Sequence, residues 1–349
     1  MIFNRKYTFV AVDLGATKTI FYTTNYGILF NQDTSIAYDI NSNKVLAIGN
    51  KSSWYQSSKN VKIINPLEKS NNIDYKALQD YLNNIFNLLK NYEWWKNVVL
   101  ILSVPLNITI LERNMLTKSL LKHKIKHLLI EDEIKMAALG CGVNDTPYMP
   151  KLILNIGGYT STIAVIADEK ILVSDFINIG SNNINHQLFT HLEQKQEIIL
   201  EKSIIEKIKI DLGNLIDEEN ETRIKITGKD IKSHIKKSIM ISTKQIHKFC
   251  FNTFEEIIAF VISILNKIPT EITADILKTG MIICGGGTLI KGLVTFIQSI
   301  FLIPITICNE PLLSVINGLK TLENNINNLI EKIKTKEKQK INQSSILFN

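Results

Sequence analysis

Residues 9–19 read FVAVDLGATKT, and residues 151–162 read KLILNIGGYTST. In each, an apolar run meets a glycine turn and then resumes. The first passes Asp13-Leu14-Gly15, alternates apolar and polar positions through Tyr22, turns at residues 25–27 and continues at 28–30. The second passes Ile156-Gly157-Gly158-Tyr159-Thr160, runs to Ile166, turns at 168–169 and continues at 171–176. A short apolar run bounded by turn residues is the pattern of a buried strand, and the segments after it read as hairpins. Asp13 and Asn155 hold equivalent places, a shift of 142 positions. Strand, glycine turn and hairpin, written twice, predict a duplicated architecture with a ligand held between the halves.

Between the copies, Tyr75, Leu78, Leu82, Ile85 and Leu89 recur at helical spacing, residues 98–104 read as a strand and 112–127 as a helix. This is the βα alternation of an α/β domain. After the second copy, the pattern predicts helices over 184–212 and 241–266, a polar loop at 214–222 and a strand at 281–284. That strand enters Gly285-Gly286-Gly287, with a helix expected from Leu289. Beyond about residue 330 the periodicity is lost, and Lys332, Lys334, Lys336, Lys338 and Lys340 read as a solvated, flexible basic tail at 331–349.

The 349 residues, 45% hydrophobic and 21% charged, suffice for two domains with sizeable cores. No stretch reads as a signal peptide or a spanning helix. Cys141, Cys250, Cys284 and Cys308 are far apart without CxxC pairing, which fits reduced thiols rather than disulfides or zinc. The net charge of +7 would favour an acidic partner. No recognition motif accompanies it, so nucleic acid is not the expected one.

Glycine directly after a buried strand lets backbone N–H groups approach an anion. Three such turns occur, DLGATKT at 13–19, NIGGYTST at 155–162 and CGGGTLIKG at 284–292, and none is a P-loop of the GxxxxGK[ST] type. Asp13, ending the first strand, is placed to hold a hydrated Mg²⁺.

The order of phosphate loop, connecting helix, second phosphate loop and adenosine loop resembles the actin and sugar-kinase superfamily, and in detail the MreB family of bacterial actin homologues. The resemblance covers about residues 7–325. It is carried by Pro66 with Ile73-Asp74-Tyr75, Val104-Pro105 with Glu112-Arg113, residues 133–140 with Gly142, residues 206–213, Gly228-Lys229-Asp230, residues 269–287, and Glu310-Pro311-Leu312 with Val315 and Gly318. It implies an α/β actin-like fold with two RNase H-like ATPase domains, each with a small subdomain, facing each other across a nucleotide cleft. The implied boundaries are 1–32 with 67–150 and 310–330, a subdomain at 33–66, then 151–183 with 248–309, and a subdomain at 184–247. ATP or ADP with Mg²⁺ would be the cofactor. Head-to-tail filaments, paired antiparallel protofilaments, paralogous actin-like proteins and the inner membrane surface would be the partners, with a cytoplasmic location and a role in cell shape or motility.

By the same resemblance, Glu133 matches the carboxylate that positions or activates the attacking water, with Glu131 and Asp132 close enough to leave the assignment open by a residue or two. Thr160 matches the threonine that helps hold that water. Gly15, Ala16, Thr17 and Lys18, with Asn155, Gly157, Gly158 and Tyr159, match the phosphate loops. Glu206 and Lys209 match positions contacting adenosine, although alone they would be an ordinary surface pair. Gly285, Gly286 and Gly287 match the loop near the adenine and α-phosphate. The chain departs from the family at Asn155, where an aspartate is usual, at Tyr159 for glycine, at Thr162 for glutamate and at Ser181-Asn182 for Gly-Asp. Loss of the charge at 155 predicts slow hydrolysis.

Trp94 and Trp95 stand where the family carries a short membrane-inserting loop. Core packing of at least one is the alternative. His123 and His127, four apart on the expected helix, read as a solvated face for want of a third ligand. A small-molecule kinase of the superfamily would need a substrate base that no segment supplies, and a chaperone would need a further peptide-binding domain. An adaptor that does not form filaments and, behind it, the small-molecule kinase are the alternatives.

Overall fold

A computed structural model of the chain describes residues 7–331, apart from 57, 69–72, 107, 144–147, 169, 217–220, 326–327 and 329. The lysines of the expected tail lie outside the described residues. The chain divides into two compact units, residues 1–143 with 313–349 and residues 144–312.

The first unit begins with a meander of β1 (Thr8–Leu14), β2 (Lys18–Thr23) and β3 (Gly27–Asp33). Then come β4 (Ile36–Asp39), β5 (Val45–Ile48) and β6 (Val61–Ile64), which form a sheet of their own in the order β5-β4-β6. Helix α1 (Tyr75–Leu89), β7 (Val98–Val104), α2 (Ile110–Leu120), β8 (Ile125–Asp132) and α3 (Glu133–Gly140) follow. The main sheet runs β3-β2-β1-β7-β8, antiparallel through the meander and parallel through β1, β7 and β8.

The second unit repeats this plan. Its meander is β9 (Lys151–Ile156), β10 (Ser161–Ala167) and β11 (Lys170–Ile177). Next are α4 (Asn182–Gln196), β12 (Ile198–Ile199), α5 (Lys202–Leu212), β13 (Arg223–Asp230) and β14 (Lys236–Ser242), the three strands making a small sheet in the order β12-β13-β14. The unit closes with α6 (Thr243–Leu265), α7 (Thr270–Thr279), β15 (Met281–Cys284), α8 (Leu293–Ile300) and β16 (Ile305–Ile307). Its main sheet runs β11-β10-β9-β15-β16, with the same pattern of antiparallel and parallel pairs. The duplication read in the sequence is a duplication of topology. The last helix, α9 (Ser314–Thr321), belongs to the first unit.

Alternation sets the two faces of the first sheet. Val10, Val12 and Leu14 of β1 and Val98, Leu100, Leu102 and Val104 of β7 bury against the apolar stripe of α1 at Leu78, Leu82 and Ile85. Asp74 caps α1 by accepting from the Ala77 N–H at 3.0 Å. The intervening residues, among them Asp13 and Ser103, face the side covered by α3 and α9. These two helices cross on glycine: a Cβ on Gly140 would lie 1.8 Å from the Ser314 carbonyl oxygen, and one on Gly318 1.8 Å from that of Met136. This crossing holds the start of α3 near the end of β1.

Three expectations need correction. The helix expected over 112–127 stops at Leu120, because a 3₁₀ turn at 121–123 and Lys124 in the left-handed region redirect the chain into β8. His123 and His127 therefore share no helix face. His123 is buried, stacks on Phe86 and bonds Asn83 at 2.9 Å, and burial lowers its pKa. The expected helix 184–212 breaks at Glu197, left-handed at φ 50°, into α4 and α5. The helix expected from Leu289 is a 3₁₀ turn at 286–289, with α8 starting only after Gly292. No helix among the described residues is long and apolar enough to cross a membrane.

Candidate functional site

In the first unit, Asp13, next to last in β1, is 8% exposed and in register with Ser103 of β7. Asp13 Oδ1 and Ser103 Oγ are buried without a hydrogen-bond partner among the described residues. Burial, and then the charge of Glu133, raise the Asp13 pKa well above the usual carboxylate range. Glu133 opens α3, while the preceding Asp132 is ion-paired with Arg113. Of the neighbouring acids, Glu133 is thus the one whose charge is felt at Asp13. A buried carboxylate with an orphaned oxygen beside a second acid fits a cation. Mg²⁺, which takes oxygen ligands and keeps several of its waters, is a cation that such a carboxylate fits.

The turn that follows has its carbonyls tied back. Gly15 O accepts from Thr34 Oγ1 at 2.7 Å, Ala16 O from Asn65 Nδ2 at 2.8 Å and Thr17 O from the Thr34 N–H at 3.0 Å. The turn is left to offer donors to an anion. Thr34, Asn65 and Ser103 were not singled out from the sequence. They lie far along the chain from the turn, and only the fold brings them to it. Lys18 is half exposed and pairs with Asp33 at 3.4 Å.

In the second unit the corresponding turn is closed by a hydrogen bond from the Gly157 N–H to Thr160 O at 2.9 Å. The Gly157 and Gly158 carbonyls accept from the N–H groups of Ser181 and Asn182, at 2.9 and 2.8 Å. Tyr159 and Thr160 are half-buried on this turn. Asn155, next to last in β9, is 4% exposed, and the Cys284 thiol donates to its Oδ1 at 3.7 Å. The loop at 285–287 reaches this point from β15: Gly285, at φ 86°, has a Cα so close that a Cβ would stand 2.4 Å from Asn155 Oδ1. The Gly285 N–H donates to Pro311 O at 2.9 Å, and its carbonyl accepts from Thr288 Oγ1 at 2.7 Å.

Glu206 and Lys209 meet on α5 at 2.8 Å. Lys209 is only 5% exposed, so this is no ordinary surface pair; Glu206 also accepts from Asn185 Nδ2 at 2.6 Å. The end of α5 is stitched to the chain after the glycine loop by the Leu215 N–H, which donates to Lys291 O at 2.9 Å.

The tryptophan pair splits. Trp95 is 4% exposed, packs edge-on to Phe86 and donates its indole N–H to His123 O at 2.9 Å, so it is a core residue and not an inserting one. Its polar atom is satisfied inside, which corrects the expectation that both rings face a membrane. Trp94 is half-buried between Tyr26 and Tyr92, which are 58% and 57% exposed.

The model of the MreB/Mbl protein family matches residues 7–331. The chain belongs to the MreB/Mbl family. It is 26% identical over 322 residues to the cell shape-determining protein Mbl of Bacillus subtilis (strain 168), covering 92% of this chain and 97% of that protein. MreB 5 of Spiroplasma citri, solved bound to AMPPNP, is 31% identical with a TM-score of 0.85, over 94% of this chain and 99% of that one. MamK, solved as a double helical filament, is 16% identical with a TM-score of 0.73 over 91% of this chain and 99% of that one, a likeness of fold. The duplicated sheets are therefore those of an actin-like fold. In this MreB/Mbl chain the first strand carries a carboxyl group near its end and its repeat carries an amide there.

Proposed function

We propose that this MreB/Mbl chain binds ATP with Mg²⁺ and polymerises head to tail into filaments that work at the inner face of the cell membrane in cell shape or motility. The observation that carries the reading is Asp13: a buried, orphaned carboxylate beside Glu133, at the mouth of a turn whose carbonyls are tied back. One structural relative, MreB 5 of Spiroplasma citri, is bound to AMPPNP in one crystal structure and to ADP in another. Bound Mg²⁺ would neutralise phosphate charge. Asp13 would hold the ion, and the backbone donors of residues 15–18 in the first unit and of residues 157–160 in the second would take phosphate oxygens. The 285–287 loop, Glu206 and Lys209 hold the adenosine and α-phosphate. Glu133 orients the attacking water and accepts its proton, with the Thr160 hydroxyl as the second contact.

Asn155 supplies no charge where Asp13's counterpart would, which makes hydrolysis slow. Head-to-tail contacts are heterologous and do not close, so they propagate. Tyr26, Tyr92 and Trp94, with apolar rings and polar tips, are the side chains suited to the membrane interface. Paralogous actin-like proteins are the natural copolymer partners.

Sedimentation and phosphate release with Mg-ATP, run beside Glu133→Ala, test the reading. The account expects pelleting by both proteins and a fall in release of about 100-fold or more in the variant, the usual contribution of a general base. Neither pelleting nor release from the unsubstituted chain would refute it in favour of the adaptor.

A further inference from the structure

The β13–β14 hairpin carries a charge pattern that its own fold does not use. Its inward positions, Ile224, Ile226, Ile239 and Ile241, pack against the core of the second unit. Outward, the register pairs Lys225 with Met240, Thr227 with Ser238 and Lys229 with Lys236, all of them exposed. Lys229 and Lys236 stand directly opposite, an arrangement of like charges that destabilises a sheet. Other lysines of the same hairpin are compensated: Lys232 pairs with Glu197 and Lys237 with Asp230. Lys225, Lys229 and Lys236 form no ion pair among the described residues. The face continues into an open groove of about 490 Å³ that adds Lys244 and Lys248; among the described residues that line it the acid is Glu221, which is ion-paired with Arg223.

We propose that this cationic sheet face docks on an anionic lipid surface, which deepens the membrane part of the reading above and rests on it. Charge complementarity identifies the occupant: lysines on a flat face with no ion pair among the described residues attract a sheet of negative headgroups. Met240, Ile199 and Ile235, at 55%, 43% and 68% exposure, stand among or beside the lysines where apolar atoms can enter the headgroup layer. Strands β13 and β14 carry no Phe, Tyr or Trp on which a base could stack, which disfavours single-stranded nucleic acid.

The test uses the full chain, so that the lysines of residues 332–340 are common to all samples. Binding is measured to vesicles of phosphatidylcholine alone and of phosphatidylcholine mixed with phosphatidylglycerol, at low and high salt. The unsubstituted chain should gain affinity from the anionic lipid, and salt should remove the gain. Replacing all three lysines (Lys225→Gln, Lys229→Gln and Lys236→Gln) should cut that gain by on the order of 100-fold, at roughly fivefold per lysine. The corresponding triple change to arginine should keep it. The glutamine variant should melt no lower than the parent, since it relieves the opposed charges. Attachment to neutral phosphatidylcholine, which depends on Tyr26, Tyr92 and Trp94, reads the earlier proposal separately. No gain on anionic vesicles, a gain that survives the glutamine changes, or loss confined to a nucleic-acid oligomer would each overturn the inference.

Discussion

The turn after β1 and the turn after β9 close over the same atom. A Cβ on Gly15 would stand 2.7 Å from Lys18 O, and one on Gly157 2.9 Å from Thr160 O. What differs is how each is held and what charge precedes it. The first turn is tied by Thr34 and Asn65, the second by the first N–H groups of α4 and the residue before it. Asp13 is an orphaned buried acid with a raised pKa, whereas Asn155 is neutral and engaged by Cys284. The repeat keeps the backbone of the turn, while the side chain near the end of the strand differs. Asp13 costs the fold stability, the mark of a group kept for a ligand. Asn155 costs it nothing.

The largest way to break the comparison is Gly285→Ala, which strikes only the second turn. The residue sits at φ 86° with Asn155 Oδ1 and Ile156 O each 2.4 Å from where the methyl would go. The change should cost about 2–4 kcal/mol in chemical denaturation through strain and overlap. A loss under about 0.5 kcal/mol would mean that the loop shifts freely. Smaller in free energy, and opposite in sign for function, is Asn155→Asp. Restoring the carboxylate should raise phosphate release about tenfold and lower the melting temperature without nucleotide, since it buries a second charge. Unchanged release would contradict the proposal that Asn155 slows hydrolysis.

The smallest expected effect is on the nucleotide-free chain carrying Asp13→Asn. Because the folded pKa of Asp13 lies above its ordinary 3.8, the folded state binds the proton more tightly than the unfolded chain. Stability is therefore lost as pH rises from the unfolded value through the folded one, and the full penalty stands above it. The substitution should raise the melting temperature at neutral pH, with the gain vanishing toward acid. A gain independent of pH would place its origin in packing rather than charge.

Strands were legible in the sequence where burial is continuous: 98–104 and 281–284 coincide with β7 and β15. The helix reading of 112–127 failed because alternation at Ile125, His127 and Leu129 was masked by the helical spacing just before it, and one left-handed lysine decides the change. The backbone of the turns was readable because glycine marks it. The supports were not, since Thr34, Asn65 and Ser103 reach Gly15, Ala16 and the flank of Asp13 only through sheet pairing. Trp95 and Lys209 show the same limit from the other side: residue type suggested a surface, and the fold buries both.

The most direct test is a titration of ATP into the chain and into Asp13→Asn, each with and without Mg²⁺. The account predicts that Mg²⁺ tightens binding to the unsubstituted chain by about tenfold or more, as expected for one charge-assisted contact, and that the variant loses most of this dependence while still binding nucleotide. An Mg²⁺ dependence of equal size in both proteins would contradict it.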